Sequence, residues 1–281
     1  MSSYSSSIKA IINGRAQLIS ESMQSTKAQA LLIAMRVTPR HSILPAAESE
    51  ITTVRRLCEA MALEPVEPGR HKEDILLHLP ESRIFHFAGH GYTDVADPSE
   101  SKLLLEDWES NALTLANLLE INLREHSPFL AYLSACGTGE VKDKKFFDEN
   151  IHLINACQLA GFRHVVGTMW KVDDEVCVNM AKFTYQGIMD GEMTDESVCL
   201  GLHQATRQLR DVWLSALAKT KRGQRLARER AAFNTSKDVG TMITPDACER
   251  KGEMLRDADL DEEEEHGAGP ANWVPYVHYG I

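Results

Sequence analysis

The sequence Phe129-Leu-Ala-Tyr-Leu-Ser-Ala-Cys-Gly-Thr-Gly139 decides the fold of this 281-residue chain. It begins as a continuous apolar run and ends abruptly in small residues. An apolar run of this length that is bounded by glycines predicts a strand buried on both faces, as in a parallel sheet. Cys136 then lies at the carboxyl end of a central strand, which is the edge where open α/β sheets bind their ligands.

A second run of the same design, Ile84-Phe-His-Phe-Ala-Gly-His-Gly91, lies upstream and ends with His90. If the two runs are neighbouring parallel strands, they hold His90 and Cys136 side by side. His86 lies in the middle of the run, so we interpret it as a buried, hydrogen-bonded structural histidine rather than a catalytic base.

The rest of the chain alternates between short apolar runs and segments of helical periodicity, which predicts a layered α/β domain. Further strands are predicted at 28–37, 64–66 and 164–170, and helices at 46–61, 71–79, 113–119, 151–159, 174–189 and 195 to about 217.

The domain organisation follows from the two ends of the chain. Residues 1–27 are Ser-rich and are expected to be a flexible or helical N-terminal segment, followed by one domain over 28–281. Six basic residues at 219–230 and seven acidic ones at 257–265 predict a disordered charged insert at about 219–270. The alternating segment 273–279 then predicts an edge strand, where Pro275 is tolerated.

Composition excludes several classes of function. With 30 basic and 41 acidic residues the net charge is −11, which argues against a nucleic-acid partner. No apolar run is long enough to span a membrane, and the N-terminus lacks the features of a signal peptide. We therefore expect a cytoplasmic or nuclear protein that is not secreted and has no membrane partner.

The cysteines and glycines point to no bound metal or cofactor. The six cysteines are scattered without a Cys-x-x-Cys pair, so we expect no metal site and reduced thiols. The Gly-x-Gly sequences at 89–91 and 137–139 lack the Walker lysine and the full dinucleotide fingerprint, so we expect no nucleotide cofactor.

Four sequence blocks in order resemble the CHAT domain, which belongs to the caspase-like cysteine peptidases and is related to separase. The blocks are IFHFAGHG at 84–91, LSACGTG at 133–139, AGFRHVVGTMWKVDD at 160–174 and WVPYVHYG at 273–280. Cys136 follows His90 by 46 residues, which is close to the roughly 50 of the caspase signature. Ala135-Cys136-Gly137 fits that signature, whereas Thr138 replaces a caspase glycine.

The resemblance implies a caspase-like three-layer sandwich. Its sheet is mostly parallel and six-stranded, with helices on both faces and an antiparallel terminal strand. The resemblance also implies a His/Cys dyad that maps to His90 and Cys136.

Such a dyad would make the chain a cysteine endopeptidase. The thiolate is the nucleophile, and a nearby imidazole can deprotonate the thiol and later protonate the leaving amine. The backbone N–H groups of Gly91 and Cys136 are the candidates for holding the oxyanion.

The acidic residues Asp173, Asp174 and Glu175 are candidates for binding substrate, because a carboxylate at this edge of the sheet could pair with a basic P1 side chain. Equally, acidic residues favour the first turn of a helix, so the three could cap the helix that follows. The expected partner is a protein or peptide substrate, with a regulatory or TPR-containing protein as a further partner. The alternatives are a catalytically silent CHAT interaction module and an acyl hydrolase that uses the same dyad.

Overall fold

Eight strands form one mixed sheet in the computed structural model. The structure describes residues 4–5, 12, 29–94, 97–126, 128–137, 150–168, 172–237 and 276–280. The strands are β1 (Gln29–Ala34), β2 (Glu64–Val66), β3 (Ser82–Tyr92), β4 (Lys102–Leu104), β5 (Leu113–Thr114), β6 (Leu130–Gly137), β7 (His164–Thr168) and β8 (Tyr276–Tyr279).

Six of these strands follow the order β2-β1-β3-β6-β7-β8 across the sheet. The pairs from β2 to β7 are parallel, and only the terminal strand β8 runs antiparallel to its neighbour β7. The short strands β4 and β5 form an antiparallel extension that pairs with the end of β3. The prediction of a mostly parallel sheet with an antiparallel terminal strand is therefore confirmed.

Helices cover both faces of the sheet and complete the predicted three layers. The described helices are α1 (Ala47–Ala60), α2 (Lys72–His78), α3 (Leu115–Glu120), α4 (Asn150–Ala160), α5 (Asp174–Asp190) and α6 (Asp195–Lys237). Helices α2, α3 and α4 pack on one face, and α1, α5 and the beginning of α6 pack on the other.

The side-chain alternation of the central strands explains why both faces are covered. In β3, Phe85 and Phe87 pack under α2 and α4, whereas Ile84 and Ala88 pack under α1 and α5. Since side chains alternate along a strand, a strand that is apolar at every position must bury both of its faces. We call the second of these faces the α1/α5 face.

The main difference from the predicted elements is the length of α6. This helix continues to Lys237, whereas the sequence predicted an end near Leu217. Arginine, lysine and alanine, which are frequent in this segment, have good helix propensity, so a charged segment of this composition can extend a helix as readily as it can form a loop. Residues 1–209 with 272–281 form one compact unit and 210–271 a second, of which the structure describes only the helical part. Residues 138–149 and 238–275 lie outside the described residues, so the disordered insert stays a prediction.

The terminal strand β8 is fixed by a buried polar cluster. His164 on β7 donates from Nε2 to Asp195 at the start of α6 over 2.8 Å. Nδ1 of the neutral His164 ring then accepts from Nε2 of His278 on β8 over 3.1 Å. Gly280 lies so close that a Cβ there would collide with both histidine rings. The cluster therefore joins three elements, and the single proton shared between the two rings prevents both histidines from being protonated together.

Burial opposes any further proton in this cluster. It lowers the pKa of His278 to about 3, with a smaller contribution from His164. Burial likewise lowers the pKa of His164. For Asp195 burial alone would raise the pKa, but the hydrogen bond from His164 and the nearby Arg163 more than offset this and lower it.

We predict that the chain loses stability as the pH falls below about 6.5, the ordinary pKa of histidine. In the unfolded state His278 binds a proton near its ordinary pKa, whereas in the folded state its pKa is about 3. The contribution of the neutral His278 to the free energy of unfolding is therefore fully present above pH 6.5 and declines as the pH falls below it. The loss is about 1.4 kcal/mol for each pH unit in that window. Urea unfolding at pH 7, 5.5 and 4.5 measures it. The variant His278→Gln, which keeps an N–H donor, should show a flatter dependence, and an unchanged slope would contradict the assignment.

Candidate active site

The two central strands bring positions 90 and 136 together. Strands β3 and β6 are parallel and in register from Ile84↔Leu130 to Gly91↔Gly137, with His90 paired to Cys136. Neighbouring strands lie about 4.8 Å apart, and residues in register belong to the same face of a sheet. The backbone therefore juxtaposes the two predicted dyad positions on the α1/α5 face. The contact between imidazole and thiol stays a prediction, because the Cys136 side chain lies outside the described part of the chain.

His90 is buried, with 3% of its surface exposed, and its ring orientation is fixed by the backbone. Nε2 lies 2.8 Å from the carbonyl oxygen of Ser42, in the segment that joins β1 to α1. A carbonyl can only accept a hydrogen bond, so Nε2 carries the proton. In the neutral ring Nδ1 is then the basic nitrogen. This carbonyl has no side-chain signature, and the sequence analysis missed it.

Beside His90 a cavity of about 50 Å³ lies between the sheet, α1 and α5. Two carboxylates line it, Glu50 from α1 and Asp174 from α5, and the described part of the chain contributes no lysine or arginine to the lining. Gly89, Ser134 and Cys177 form other parts of the wall. The cavity next to the candidate base is thus suited to a positively charged group.

The acidic residues at the start of α5 have divided roles. Asp173 is exposed and caps the helix, because its carboxylate accepts from the backbone N–H of Glu175 over 2.9 Å. Glu175 is also exposed. Only Asp174 lines the cavity, and its Oδ2 accepts from the backbone N–H of Ala46 over 2.7 Å. The sequence left open whether these residues cap the helix, line a pocket, or divide the two roles; in the structure Asp173 caps the helix and Asp174 lines the cavity.

Behind the cavity lies a chain of buried polar groups that sequence reasoning missed. Glu50 is 1% exposed and bridges two strands: Oε1 lies 2.9 Å from Nε2 of His86, and Oε2 accepts from Ser134 Oγ over 3.1 Å. Nδ1 of His86 lies 3.0 Å from the hydroxyl of Tyr185 on α5. The His86 ring stacks on Tyr132 with 4.7 Å between centroids and 5° between planes.

These contacts confirm that His86 is a satisfied structural histidine. Glu50 could have been found from the sequence, because it lies three residues after Ala47 and one before Ile51, on the apolar face of α1. A glutamate at such a position is seldom fully buried unless it is paired.

Two of the other cysteines, Cys58 and Cys157, make poor nucleophiles. Burial raises the pKa of Cys58 to about 12 and that of Cys157 to about 12, so neither forms a thiolate near neutral pH. Cys177 is buried and lies 3.4 Å from the hydroxyl of Tyr276, and Cys199 is half-buried. Cys157 is a core residue, as predicted.

The described residues contain neither a metal-binding cluster nor a membrane-spanning helix. No group of three or more His, Cys, Asp or Glu side chains there is arranged to hold a metal ion. Within the same residues, no helix combines the length and apolar character needed to cross a bilayer.

A mostly parallel sheet between two helical layers, with a histidine and a cysteine paired on its central strands, defines a caspase-like α/β sandwich. The sequence model of the CHAT domain matches residues 3–281, and the chain belongs to this family. A comparison with curated proteins gave no match.

We predict that His86→Leu destabilises the fold by about 3–5 kcal/mol, because it leaves the Glu50 carboxylate buried without its main partner. The double variant His86→Leu/Glu50→Met removes the charge as well and should recover much of the loss. Urea unfolding provides the measurement. His126→Leu, on an exposed histidine, is the matched control and should change stability by less than about 0.5 kcal/mol. A double variant no more stable than His86→Leu would contradict the pairing.

Proposed function

We propose that this CHAT domain is a cysteine endopeptidase in which Cys136 is the nucleophile and His90 the general acid and base. The observation that carries the proposal is the register of β3 and β6, which pairs these two positions at the edge where α/β sheets bind ligands. The hydrogen bond from His90 Nε2 to the Ser42 carbonyl also supports the proposal, because this bond fixes the orientation of the ring and leaves Nδ1 as the basic nitrogen.

The reaction would proceed in two halves. Nδ1 of His90 takes the Cys136 proton, and the thiolate attacks the carbonyl carbon of the scissile peptide bond. The oxyanion that forms is held by the backbone N–H groups of Gly91 and Cys136. His90 then gives its proton to the leaving amine, and a thioester remains. In the second half water attacks the thioester, His90 takes the water proton, and the thiol leaves with it.

The substrate would be a protein or peptide that presents a basic P1 side chain. The cavity beside His90 supports this preference, because two carboxylates line it and no lysine or arginine does so among the described residues. Of the three predicted acidic residues, Asp174 is therefore the one that we propose contacts the P1 side chain, together with Glu50. A regulatory or TPR-containing partner is a further part of the proposal.

We predict that an acyloxymethyl ketone probe labels Cys136 selectively and that His90→Gln slows labelling at least about a hundredfold, since general acid–base help contributes that much. The readout is the rate of adduct formation, with the site identified by peptide mass spectrometry. Cys199→Ala, on a half-buried thiol, is the control and should not alter the rate.

The alternative functions give different results in the same experiment. A Cys136 no more reactive than free cysteine would favour the catalytically silent interaction module. Labelling that is accompanied by hydrolysis of small esters but not of peptides would favour an acyl hydrolase.

We further predict that peptides with Arg or Lys at P1 are cleaved faster than the norleucine analogue. Asp174→Asn should reduce that preference about tenfold to a hundredfold, because a cation in the pocket loses one of its two carboxylates. Fluorogenic peptides that differ only at P1 measure it as a ratio of kcat/KM values. Asp173→Asn changes the exposed cap alone and should leave the ratio intact. A preference for Asp at P1 would overturn the assignment.

A further inference from the structure

The loop of residues 38–44 between β1 and α1 reaches over the candidate base. It is held by its own backbone, since the N–H of His41 donates to the Thr38 carbonyl over 3.1 Å and that of Leu44 to Arg36 over 2.9 Å. From outside, Trp108 Nε1 donates to the carbonyl of Pro39 over 3.2 Å. The loop is thus a supported structure rather than a loose connection.

Within this loop His41 contacts two other rings. Its centroid is 5.2 Å from that of His90 at 34° between planes, and 5.4 Å from that of Trp108 at 65°. The next residue, Ser42, provides the carbonyl that fixes His90. Two consecutive residues therefore contact the same imidazole, one through a hydrogen bond and one through a ring.

We propose that His41 is a positioning residue for His90, and that its neutral ring supports the imidazolium that His90 becomes during the reaction. The inference rests on the proposed function. A cation against the face of an aromatic ring is stabilised, and the ring also limits how far His90 can turn. Trp108 in turn packs edge-to-face against His41 and limits the movement of its ring.

The support depends on the charge of His41. Burial lowers the pKa of His41, and the neighbouring His90 lowers it further. A protonated His41 would place a like charge against the His90 imidazolium and so oppose the step that the neutral ring favours. As the pH falls through the titration of His41, activity should therefore be lost.

The other charged groups near this pair come from separate elements. Arg40, the residue before His41 in the loop, pairs with Glu109 over 2.8 Å, so this cation already has a partner. Glu50 from α1 and Asp174 from α5 are the carboxylates of the cavity, and Cys136 from β6 is the register partner of the base. None of these groups changes charge in the variants described below.

Three substitutions of His41 separate positioning from simple packing. His41→Phe keeps an aromatic face but cannot be protonated, so kcat at pH 8 should fall by no more than about threefold. His41→Ala removes the ring and should lower kcat about tenfold with little change in KM. His41→Arg fixes a positive charge beside His90 and should lower kcat about a hundredfold.

The pH profile of kcat/KM is the decisive measurement, with thermal unfolding as the check that each variant is folded. As the pH falls, the kcat/KM of wild type should decrease through one more protonation than that of His41→Phe, because only wild type has a titrating ring at position 41. A packing role alone predicts the same acid limb for both, and that result would overturn the inference, as would a His41→Arg variant as active as His41→Phe.

A second measurement does not require turnover. The pKa of His41, followed by NMR of its ring protons, should rise toward about 6.5 in His90→Gln, because one of the causes that lower it is removed. An unmoved pKa would overturn the coupling. A wild type that neither cleaves peptides nor reacts with the probe would remove the proposed function and this inference together. If wild type is reactive but His41→Phe has the same pH profile as wild type, the inference fails and the proposed function stands.

Discussion

The parallel pairing of β3 with β6 is the constraint on which the candidate site depends. It continues in register to Gly91↔Gly137, so the positions of His90 and Cys136 follow from the same hydrogen-bond ladder that holds the centre of the sheet. A slip of one residue would move one of the two to the opposite face, away from the cavity, and would also turn the buried Phe85 and Phe87 out of their core. The packing of the core and the geometry of the site therefore select the same register.

The segment from β1 to α1 is the second determinant, because it approaches the site from one side with several different groups. Ser42 provides a carbonyl, His41 a ring, Ala46 an N–H for Asp174, and Glu50 a buried carboxylate. Burying that carboxylate costs free energy, which its hydrogen bonds to β3 and β6 offset only in the correct arrangement. The hydrogen bonds of Glu50 therefore fix the position of α1, and with it the position of the loop that precedes α1.

The strands and the pairing of positions 90 and 136 could be predicted because each ends an apolar run, and such runs depend on burial alone. Other features depend on context that a sequence does not carry. The Ser42 carbonyl belongs to the backbone, which every residue has. Whether Asp173 or Asp174 caps α5 depends on where the helix begins, within one residue. The charged segment that extends α6 has both helical propensity and the composition of a loop, so propensity and composition gave opposite answers.

The hydrogen-bond partner of His90 is the uncharged carbonyl of Ser42, which limits how well this partner can stabilise a positive charge on the ring. A carboxylate in the place of the Ser42 carbonyl would fix the tautomer and also stabilise the imidazolium through its charge. A carbonyl fixes the tautomer but offers only a dipole, so more of the stabilisation must come from elsewhere. We propose that the surroundings supply it in two forms, the neighbouring ring of His41 and the carboxylates of Glu50 and Asp174 in the cavity. The carboxylates that we propose to favour a cationic substrate would therefore also favour the cationic state of His90, which would couple the proposed substrate preference to the chemistry of the proposed dyad.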